Sequence, residues 1–247
     1  MTADIRLYCF PYAGGNATVF RDWQQYFPQH IQVRSIESPG RGARCHEPLI
    51  YDCPTLVQSL AASVSADFIQ ARLFKPTLRY AFFGHSAGAR FGFSVAKLVT
   101  ERLLQAPIHG FLSANSPQQN ISRSIKRAAI SDRELIASLR RLGGTPSAVL
   151  ADPEVMAFLL PILRADFNAS DGCYQDPGQP VAFPLTLFAA RQDTEVPVEN
   201  VWDWSGYTNA TCRRVLLDGD HFSGVQSPQP TIARICADLE RVAGIPQ

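Results

Sequence analysis

The sequence predicts an α/β protein in which a parallel sheet is covered by helices. Apolar runs of about five residues, each closed by turn residues, alternate with longer stretches of helical periodicity, which is the order that such a sheet requires. The chain has 247 residues, 46% of them hydrophobic, so a single domain can bury a substantial core. The predicted strands are residues 7–10, 32–36, 80–83, 110–113, 185–189 and 213–217.

Helices are predicted between these strands. In the first helical stretch, Leu56, Leu60, Val64 and Phe68 recur at the spacing of one helix face. Two later stretches have the same periodicity. The predicted helices are residues 56–73, 89–104 and 231–242.

One interval, residues 116–181, breaks the alternation because it contains no convincing strand. One helix is expected to begin near the cap residue Ser131, and another near Asp152, where Pro153 follows at a first-turn position. No linker rich in Pro, Gly or Ser divides the chain. We therefore expect one domain over residues 1–247, with a helical insertion at residues 116–181.

Charge and hydropathy exclude several classes of protein. The 23 Lys plus Arg and 22 Asp plus Glu give a formal charge of +1, which leaves no broad positive field for binding nucleic acid. No apolar stretch approaches the roughly 18 residues that span a bilayer, and the first residues do not form a secretory signal. These features indicate a soluble, cytoplasmic protein that does not bind membranes, with a monomer as the default state.

The cysteines are scattered along the chain, with no CxxC pair and no histidine nearby at the spacing of metal ligands. In a chain without a signal peptide this pattern indicates reduced thiols, so neither a disulfide nor a metal site is expected. The six cysteines are Cys9, Cys45, Cys53, Cys173, Cys212 and Cys236.

The strongest chemical signal is Gly84-His85-Ser86-Ala87-Gly88, which lies between a predicted strand and a predicted helix. A Gly-x-Ser-x-Gly sequence in that context predicts a nucleophile elbow, a strained turn that lifts the serine hydroxyl to the carboxyl edge of the sheet. Glycine is needed at both ends because a side chain there would collide with the neighbouring strand and helix. Ser86 is the predicted nucleophile, and the alternative is a glycine-lined turn with an idle serine.

A nucleophilic serine needs a general base that is itself oriented by a carboxylate. Only His109 and His221 follow Ser86 in the chain, and His109 precedes its strand, at the wrong edge of a parallel sheet. We therefore assign the base to His221. Asp193, just after a predicted strand, is the first choice for the carboxylate. Glu195, Asp218 and Asp220 are the alternatives.

A tetrahedral intermediate also needs two backbone N–H donors where its negative charge develops. Ala87, directly after the nucleophile, supplies one by position. The other is expected from the glycine-rich segment of residues 10–15, where Ala13 is the first choice and Tyr12 the second. The alternative for this segment is a plain glycine-rich turn.

From Leu7 to the C-terminal helix, the chain resembles the type II thioesterases that accompany nonribosomal peptide and polyketide synthases. The opening LYCFPYAGGNATVFRDW is similar to their first strand and FPYAGG loop, and SPGRGAR at residues 38–44, followed by Glu47, is similar to their PGRGxR segment. GHSAG, the Asp193 region and GDHF complete the set in order. Ala87 stands where the family more often has Met or Phe, and residues 113–117 lack its usual Arg, so acyl preference stays open.

The resemblance implies an α/β-hydrolase core with a mobile helical lid, to which residues 116–181 correspond. It also implies hydrolysis of acyl or aminoacyl thioesters on the phosphopantetheine arm of a carrier protein, through a covalent acyl-enzyme and without a cofactor. The alternatives are a carboxylesterase or medium-chain fatty acyl thioesterase of the same fold, and a scaffold protein without activity.

Two surfaces of the insertion have both a structural and a functional interpretation. The apolar stripe of residues 155–163 is expected to pack as a buried helix face, and its Phe158, Leu159 and Ile162, together with Tyr12, are candidates for substrate contact. A basic cluster is either a docking surface for an acidic carrier protein or a solvated helix face. It comprises Arg123, Lys126 and Arg127, with Arg140 and Arg141 further on.

Overall fold

A parallel sheet of six strands forms the centre of the molecule. The computed structural model describes residues 5–117, 127, 129–173, 175 and 178–244. The strands are β1 (Ile5–Phe10), β2 (Ile31–Ser35), β3 (Arg79–His85), β4 (Gly110–Ser113), β5 (Leu185–Ala190) and β6 (Cys212–Leu217). They lie in the order β2-β1-β3-β4-β5-β6, and every neighbouring pair is parallel.

Helices connect these strands. They are α1 (Cys53–Phe74), α2 (Ala87–Leu103), α3 (Asp132–Leu142), α4 (Ser147–Ala151), α5 (Pro153–Gly172), α6 (Val198–Trp202), α7 (Ser223–Gln226) and α8 (Gln229–Ala243). None of the helices described is long and apolar enough to cross a bilayer.

Both faces of the sheet are buried, because alternate side chains of each strand point to opposite sides. Tyr8 and Phe10 of β1 pack with residues of α1 and α2 on one face. Leu7 and Cys9, one position along, pack on the other face with Ile235 and other apolar residues of α8. The continuous apolar runs in the sequence therefore correspond to strands covered on both sides.

The helix starts follow the capping signals of the sequence. Asp52 caps α1 by accepting a hydrogen bond from Thr55 N at 2.9 Å. Ser131 and Glu134 form a reciprocal capping box at the start of α3. Asp152 caps α5, where Pro153 occupies the first turn. Such caps satisfy N–H groups that have no partner within the helix.

Between β4 and β5 the described residues form α3, α4 and α5, and no strand is found among them. Leu135 and Leu139 of α3 pack against Leu160 and Leu163 of α5 in a small apolar cluster of their own. This cluster is separate from those that cover the sheet. That residues 116–181 act as a lid stays a prediction.

The prediction of six reduced thiols is wrong for one pair of cysteines. Cys53, at the start of α1, and Cys173, just after α5, form a disulfide across a sequence separation of 120 residues. No local spacing could indicate this pair, because only the packing of α5 against α1 brings the two residues together. Cys9, Cys45 and Cys212 are free thiols, as is Cys236.

Candidate active site

Ser86 occupies a sharp turn between β3 and α2. Its φ of 54° and ψ of −124° lie outside the helical and extended regions, which is the strained conformation expected of a nucleophile elbow. The Ser86 N–H donates a hydrogen bond to the Ser113 carbonyl at 2.8 Å, at the end of β4. Because α2 begins at Ala87, the positive end of its dipole adjoins the serine.

The two glycines of the elbow are sterically required. A Cβ on Gly84 would lie 2.2 Å from the Gly88 carbonyl oxygen, and a Cβ on Gly88 would lie 2.2 Å from the Phe10 carbonyl oxygen. Both obstacles are backbone atoms, which cannot move away as a side chain can. The spacing of the motif thus reflects the contact of the elbow with its own helix and with the end of β1.

The structure brings Ser86, His221 and Asp193 together in one chain of hydrogen bonds. Nε2 of His221 lies 3.0 Å from Ser86 Oγ, and Nδ1 of His221 lies 2.9 Å from Asp193 Oδ2. The side chains of His221 and Asp193 are 6% and 1% exposed. Shielding from water strengthens the attraction between the carboxylate and an imidazolium.

The parallel sheet explains why residues far apart in sequence meet. Ser86, Asp193 and His221 follow β3, β5 and β6, whose carboxyl ends lie at one edge. The loops after β5 and β6 are bonded to each other, since Gln192 N donates to the Gly219 carbonyl at 2.9 Å. This hydrogen bond fixes the loop of Asp193 relative to the loop of His221.

The other candidate carboxylates are engaged elsewhere. Asp218 pairs with Arg191 on the surface, and Asp220 accepts the N–H of Phe222 at 3.0 Å. Glu195 pairs with Arg127 across the site. Of the four carboxylates considered, Asp193 is the one that faces the imidazole.

His85 supports the site from beneath, a position that sequence reasoning did not assign to it. It is fully buried, and its Nδ1 lies 3.0 Å from Ser113 Oγ. Burial first, and then the neighbouring His221, lower the pKa of His85 well below its usual value, so its ring is neutral at physiological pH. The position of His85 within the Gly-x-Ser-x-Gly motif was the one sequence feature that pointed to it. Its partner Ser113 could not be identified from the sequence.

The turn formed by Tyr12, Ala13, Gly14 and Gly15 adjoins the elbow. Gly15 N donates to the Tyr12 carbonyl at 2.9 Å, and Gly14 has a φ of +79°, which suits the third position of a type II turn. In a trans peptide, C=O and N–H point in opposite directions. The Tyr12 carbonyl points into the turn, so the N–H of Ala13 points out of it. The assignment of Ala13 and Ala87 as oxyanion donors stays a prediction.

A cavity of about 690 Å³ opens beside Ser86 and Ala87. Its described lining combines charged side chains with apolar surface, and its charged members come from both the core and the insertion. They are Arg90, Arg127, Glu134, Arg141, Asp171 and Glu195. Apolar contact is available from Ile130, Phe167 and Val196.

The residues expected to touch substrate lie outside this described lining. Phe158 is 63% exposed, and Leu159 packs against the apolar cluster of α3 and α5. Ile162 is buried, and the Tyr12 ring packs on that of Phe222 with centroids 5.0 Å apart. Helix α5 reaches the cavity with its later residues, Phe167, Ser170 and Asp171. The apolar stripe is therefore a packing face at Leu159, Ile162 and Leu163 but is exposed at Val155 and Phe158, and the cavity face lies further along the helix.

The basic cluster is represented in the structure by its later members. Arg123 and Lys126 lie outside the described residues. Arg127 pairs with Glu195 and lies over the Phe167 ring, 5.3 Å from its centroid. This side chain therefore contributes to the cavity wall.

Within the part of the chain that the structure describes, no group of three or more His, Cys, Asp or Glu side chains is arranged to hold a metal ion. The chemical equipment of the site is a serine, an imidazole, a carboxylate and backbone N–H groups. Such a set can carry out acyl transfer by nucleophilic and general acid–base catalysis.

Comparison with known proteins identifies the thioesterase family, which the sequence resembles. The family model of the thioesterase domain matches residues 5–239. The gramicidin S biosynthesis protein GrsT of Aneurinibacillus migulanus is 33% identical over 240 residues, which cover 97% of this chain and 91% of GrsT.

Solved structures agree with this result and confirm the predicted α/β-hydrolase fold. The thioesterase RedJ, from the prodiginine pathway of Streptomyces coelicolor, is 32% identical with a TM-score of 0.83, over 96% of this chain and 91% of RedJ. YbtT, the type II thioesterase of the yersiniabactin pathway, is 26% identical with a TM-score of 0.81, over 98% and 94%. The chain therefore belongs to the thioesterase family, as a thioester hydrolase related to the type II thioesterases of nonribosomal peptide and polyketide pathways.

Proposed function

We propose that this thioesterase releases acyl or aminoacyl groups from the phosphopantetheine arm of a carrier protein, and so clears stalled or wrongly loaded chains. The observation that carries the proposal is the chain of hydrogen bonds from Asp193 through His221 to Ser86, which ends beside the cavity. The pathways in which RedJ and YbtT act point to a substrate held on a carrier protein.

In the first half-reaction, Ser86 Oγ attacks the thioester carbonyl while Nε2 of His221 takes the hydroxyl proton. The negative charge on the carbonyl oxygen is stabilised by the N–H groups of Ala13 and Ala87. When the C–S bond breaks, the thiolate receives the proton from His221. Phosphopantetheine leaves as a thiol, and the acyl group stays on Ser86.

In the second half-reaction, water attacks the acyl-enzyme while His221 accepts one of its protons. The proton returns to Ser86 Oγ as the ester bond breaks, so that the products are the free carboxylic acid and the regenerated enzyme. Asp193 keeps Nδ1 of His221 protonated in both halves and stabilises the imidazolium.

The cavity offers both polar and apolar contacts to an acyl group. Glu134 and Arg141 can hydrogen-bond the polar atoms of an aminoacyl group, and Phe167 can pack against its side chain. The relatives from nonribosomal peptide and polyketide pathways favour the carrier-bound substrates of such pathways over medium-chain fatty acyl groups.

The insertion is proposed to act as a lid over this cavity. Two of the contacts that its described residues make with the catalytic side of the core involve Glu195 and Phe222. Arg127 pairs with Glu195, and Gly144 lies so close to the Phe222 ring that a Cβ there would be 2.2 Å from it. Opening these contacts would admit the phosphopantetheine arm. We further propose a monomer, with the basic cluster of Arg123, Lys126 and Arg127 contributing to carrier docking.

The test compares acyl and aminoacyl thioesters on a carrier protein, the same groups on free pantetheine, and p-nitrophenyl esters. Hydrolysis of the carrier-bound thioesters is expected to be fastest. Ser86→Ala should lower kcat by at least about 10⁴-fold, while Ser63→Ala, in α1 and away from the site, should leave it unchanged. Faster turnover of p-nitrophenyl esters than of every carrier-bound thioester would instead indicate a carboxylesterase.

A further inference from the structure

A buried ion pair, separate from Ser86, His221 and Asp193, joins the PGRGxR segment to the insertion. Arg41 Nη1 donates to Asp166 Oδ2 at 2.6 Å, and Arg41 Nη2 donates to Asp166 Oδ1 at 2.5 Å. The two side chains are 6% and 4% exposed. Asp166 belongs to α5, so this bidentate ion pair connects a loop of the core with a helix of the insertion.

Both partners of this pair also hold the turn of residues 12–15. Asp166 Oδ2 accepts the N–H of Gly14 at 2.7 Å. Arg41 Nη1 donates to the Gly15 carbonyl at 3.1 Å. Asp166 thus binds the peptide group between Ala13 and Gly14, and Arg41 binds the peptide group between Gly15 and Asn16.

Helix α5 makes an apolar contact with the same turn. A Cβ on Gly14 would lie 2.6 Å from Leu163 Cδ2, so the helix is seated directly against this glycine. Leu163 and Asp166 are three residues apart and lie on one face of α5. The turn is therefore held by a hydrogen bond, an ion pair and van der Waals contact from a single helix face.

Building on the proposed function, we propose that Asp166 and Arg41 are positioning residues that orient the turn carrying the oxyanion donor Ala13. Neither side chain touches the reacting atoms. Asp166 fixes the peptide group that follows Ala13, and Arg41 fixes the far end of the turn at Gly15. The N–H of Ala13 therefore points at the carbonyl oxygen of the substrate only while α5 is in place. A donor must lie about 2.7 to 3.1 Å from the position that the oxyanion occupies to stabilise the transition state, and a misplaced donor loses that effect.

The test uses Asp166→Asn with acetyl-pantetheine as substrate, and active sites are counted by titration with a fluorophosphonate. The kcat per active site is expected to fall about 10- to 100-fold, with KM within about threefold of the starting protein. A small alkylboronic acid, which forms a tetrahedral adduct on Ser86, should lose affinity by the same factor. A purely structural role would lower the number of active sites or the Tm without this joint loss.

The matched control is Glu47→Gln. Glu47 pairs with Arg44 on the same PGRGxR segment at 2.6 Å but does not contact the turn. Its kcat and its boronate affinity should stay within about twofold of the unchanged protein.

Asp166→Asn leaves the buried charge of Arg41 without its partner, which is strongly destabilising and can prevent folding. A second variant covers that case. Arg41→Met combined with Asp166→Leu removes both charges, and should fold with the same loss of kcat and boronate affinity. The proposal is overturned if either variant keeps kcat within threefold of the unchanged protein, or loses kcat without losing boronate affinity. Failure of the proposed function is distinct, because p-nitrophenyl esters would then be hydrolysed faster than every carrier-bound thioester, whatever the effect of Asp166→Asn on kcat.

Discussion

Asp193 presents its two carboxylate oxygens to different partners. Oδ2 lies 2.9 Å from Nδ1 of His221, while Oδ1 accepts the N–H groups of Glu195 and Val196 at 2.8 and 3.0 Å. The backbone bonds fix the plane of the carboxylate, so Oδ2 can only face the imidazole. The tautomer of His221 with the proton on Nδ1 is therefore selected, and Nε2 is left to accept the proton of Ser86.

Asp193→Asn is expected to lower kcat about 10³- to 10⁴-fold with little change in KM. The amide can present its NH₂ group to Nδ1 and so favour the wrong tautomer of His221. The measurement is steady-state hydrolysis of an acyl-pantetheine. Asp218→Asn, whose carboxylate is 92% exposed, is the control and should leave kcat unchanged. A larger loss with Asp218→Asn than with Asp193→Asn would reassign the carboxylate.

Gly88→Ala is expected to reduce both stability and activity. The added Cβ would meet the Phe10 carbonyl oxygen at 2.2 Å, so the elbow and β1 must separate. We expect a loss of at least about 2 kcal/mol in the free energy of unfolding, measured in urea, together with loss of activity. Gly206→Ala is the matched control, because a Cβ there meets nothing within 4 Å. Equal effects of the two changes would contradict the steric account.

Phe167→Ala is expected to raise KM for aminoacyl thioesters, because Phe167 lines the cavity and lies beneath Arg127. Phe158→Ala is the matched control on the same helix, since its ring is 63% exposed and lies outside the described lining. We expect a several-fold rise for Phe167→Ala and no change for Phe158→Ala, from steady-state kinetics. A larger rise in KM for Phe158→Ala than for Phe167→Ala would instead support the apolar stripe as the substrate contact.

Loss of the Cys53–Cys173 disulfide is expected to destabilise the fold by about 2 to 4 kcal/mol, because the bond restricts the unfolded chain across 120 residues. The measurement is urea unfolding of the protein with and without reductant. Cys53→Ala combined with Cys173→Ala should match the reduced protein, and reductant should not destabilise it further. Cys45→Ser, which changes an exposed free thiol, should behave as the unchanged protein. Equal unfolding midpoints with and without reductant would argue against the disulfide.

Stability is expected to fall in mild acid because of His109. Burial lowers its pKa to about 4, although Asp238 acts in the opposite direction; Arg241, Arg213 and Arg234 lower it further. The unfolded chain binds a proton near pH 6.5 and the folded chain does not, so stability is lost as the pH falls from about 6.5 toward 4. The shift corresponds to about 2 kcal/mol between pH 7 and 4.5.

The measurement for this effect is the free energy of unfolding as a function of pH. His109→Gln keeps an N–H that can replace Nε2, which lies 2.9 Å from Thr186 Oγ1. This variant should show a flatter dependence between pH 7 and 4.5. Exposed His46, replaced by Gln, should leave the slope as it is. If His109→Gln leaves the pH dependence of the free energy of unfolding unchanged, other groups cause the loss of stability in acid.

The strands and the triad were predictable because their signals are local. Each predicted strand begins and ends within two residues of an observed strand. The four central strands, β1, β3, β4 and β5, are buried on both faces, which requires a continuous apolar run. The elbow is specified by glycines two residues from the serine. His221 and Asp193 followed from the rule that side chains after parallel strands meet at one edge of the sheet. Helices α4, α6 and α7 were not predicted, because they are too short to show a periodicity.

The sequence by itself thus determined the fold class, and it predicted the three residues, Ser86, His221 and Asp193, that the structure joins by hydrogen bonds. Tertiary structure decided which face of α5 meets the cavity, the Cys53–Cys173 bond and the contact of Asp166 with Arg41. The physical reason is that these features depend on how α5 packs against the core. Its Asp166 is separated from Arg41 by 125 residues, and no local pattern records which distant loop a helix will meet.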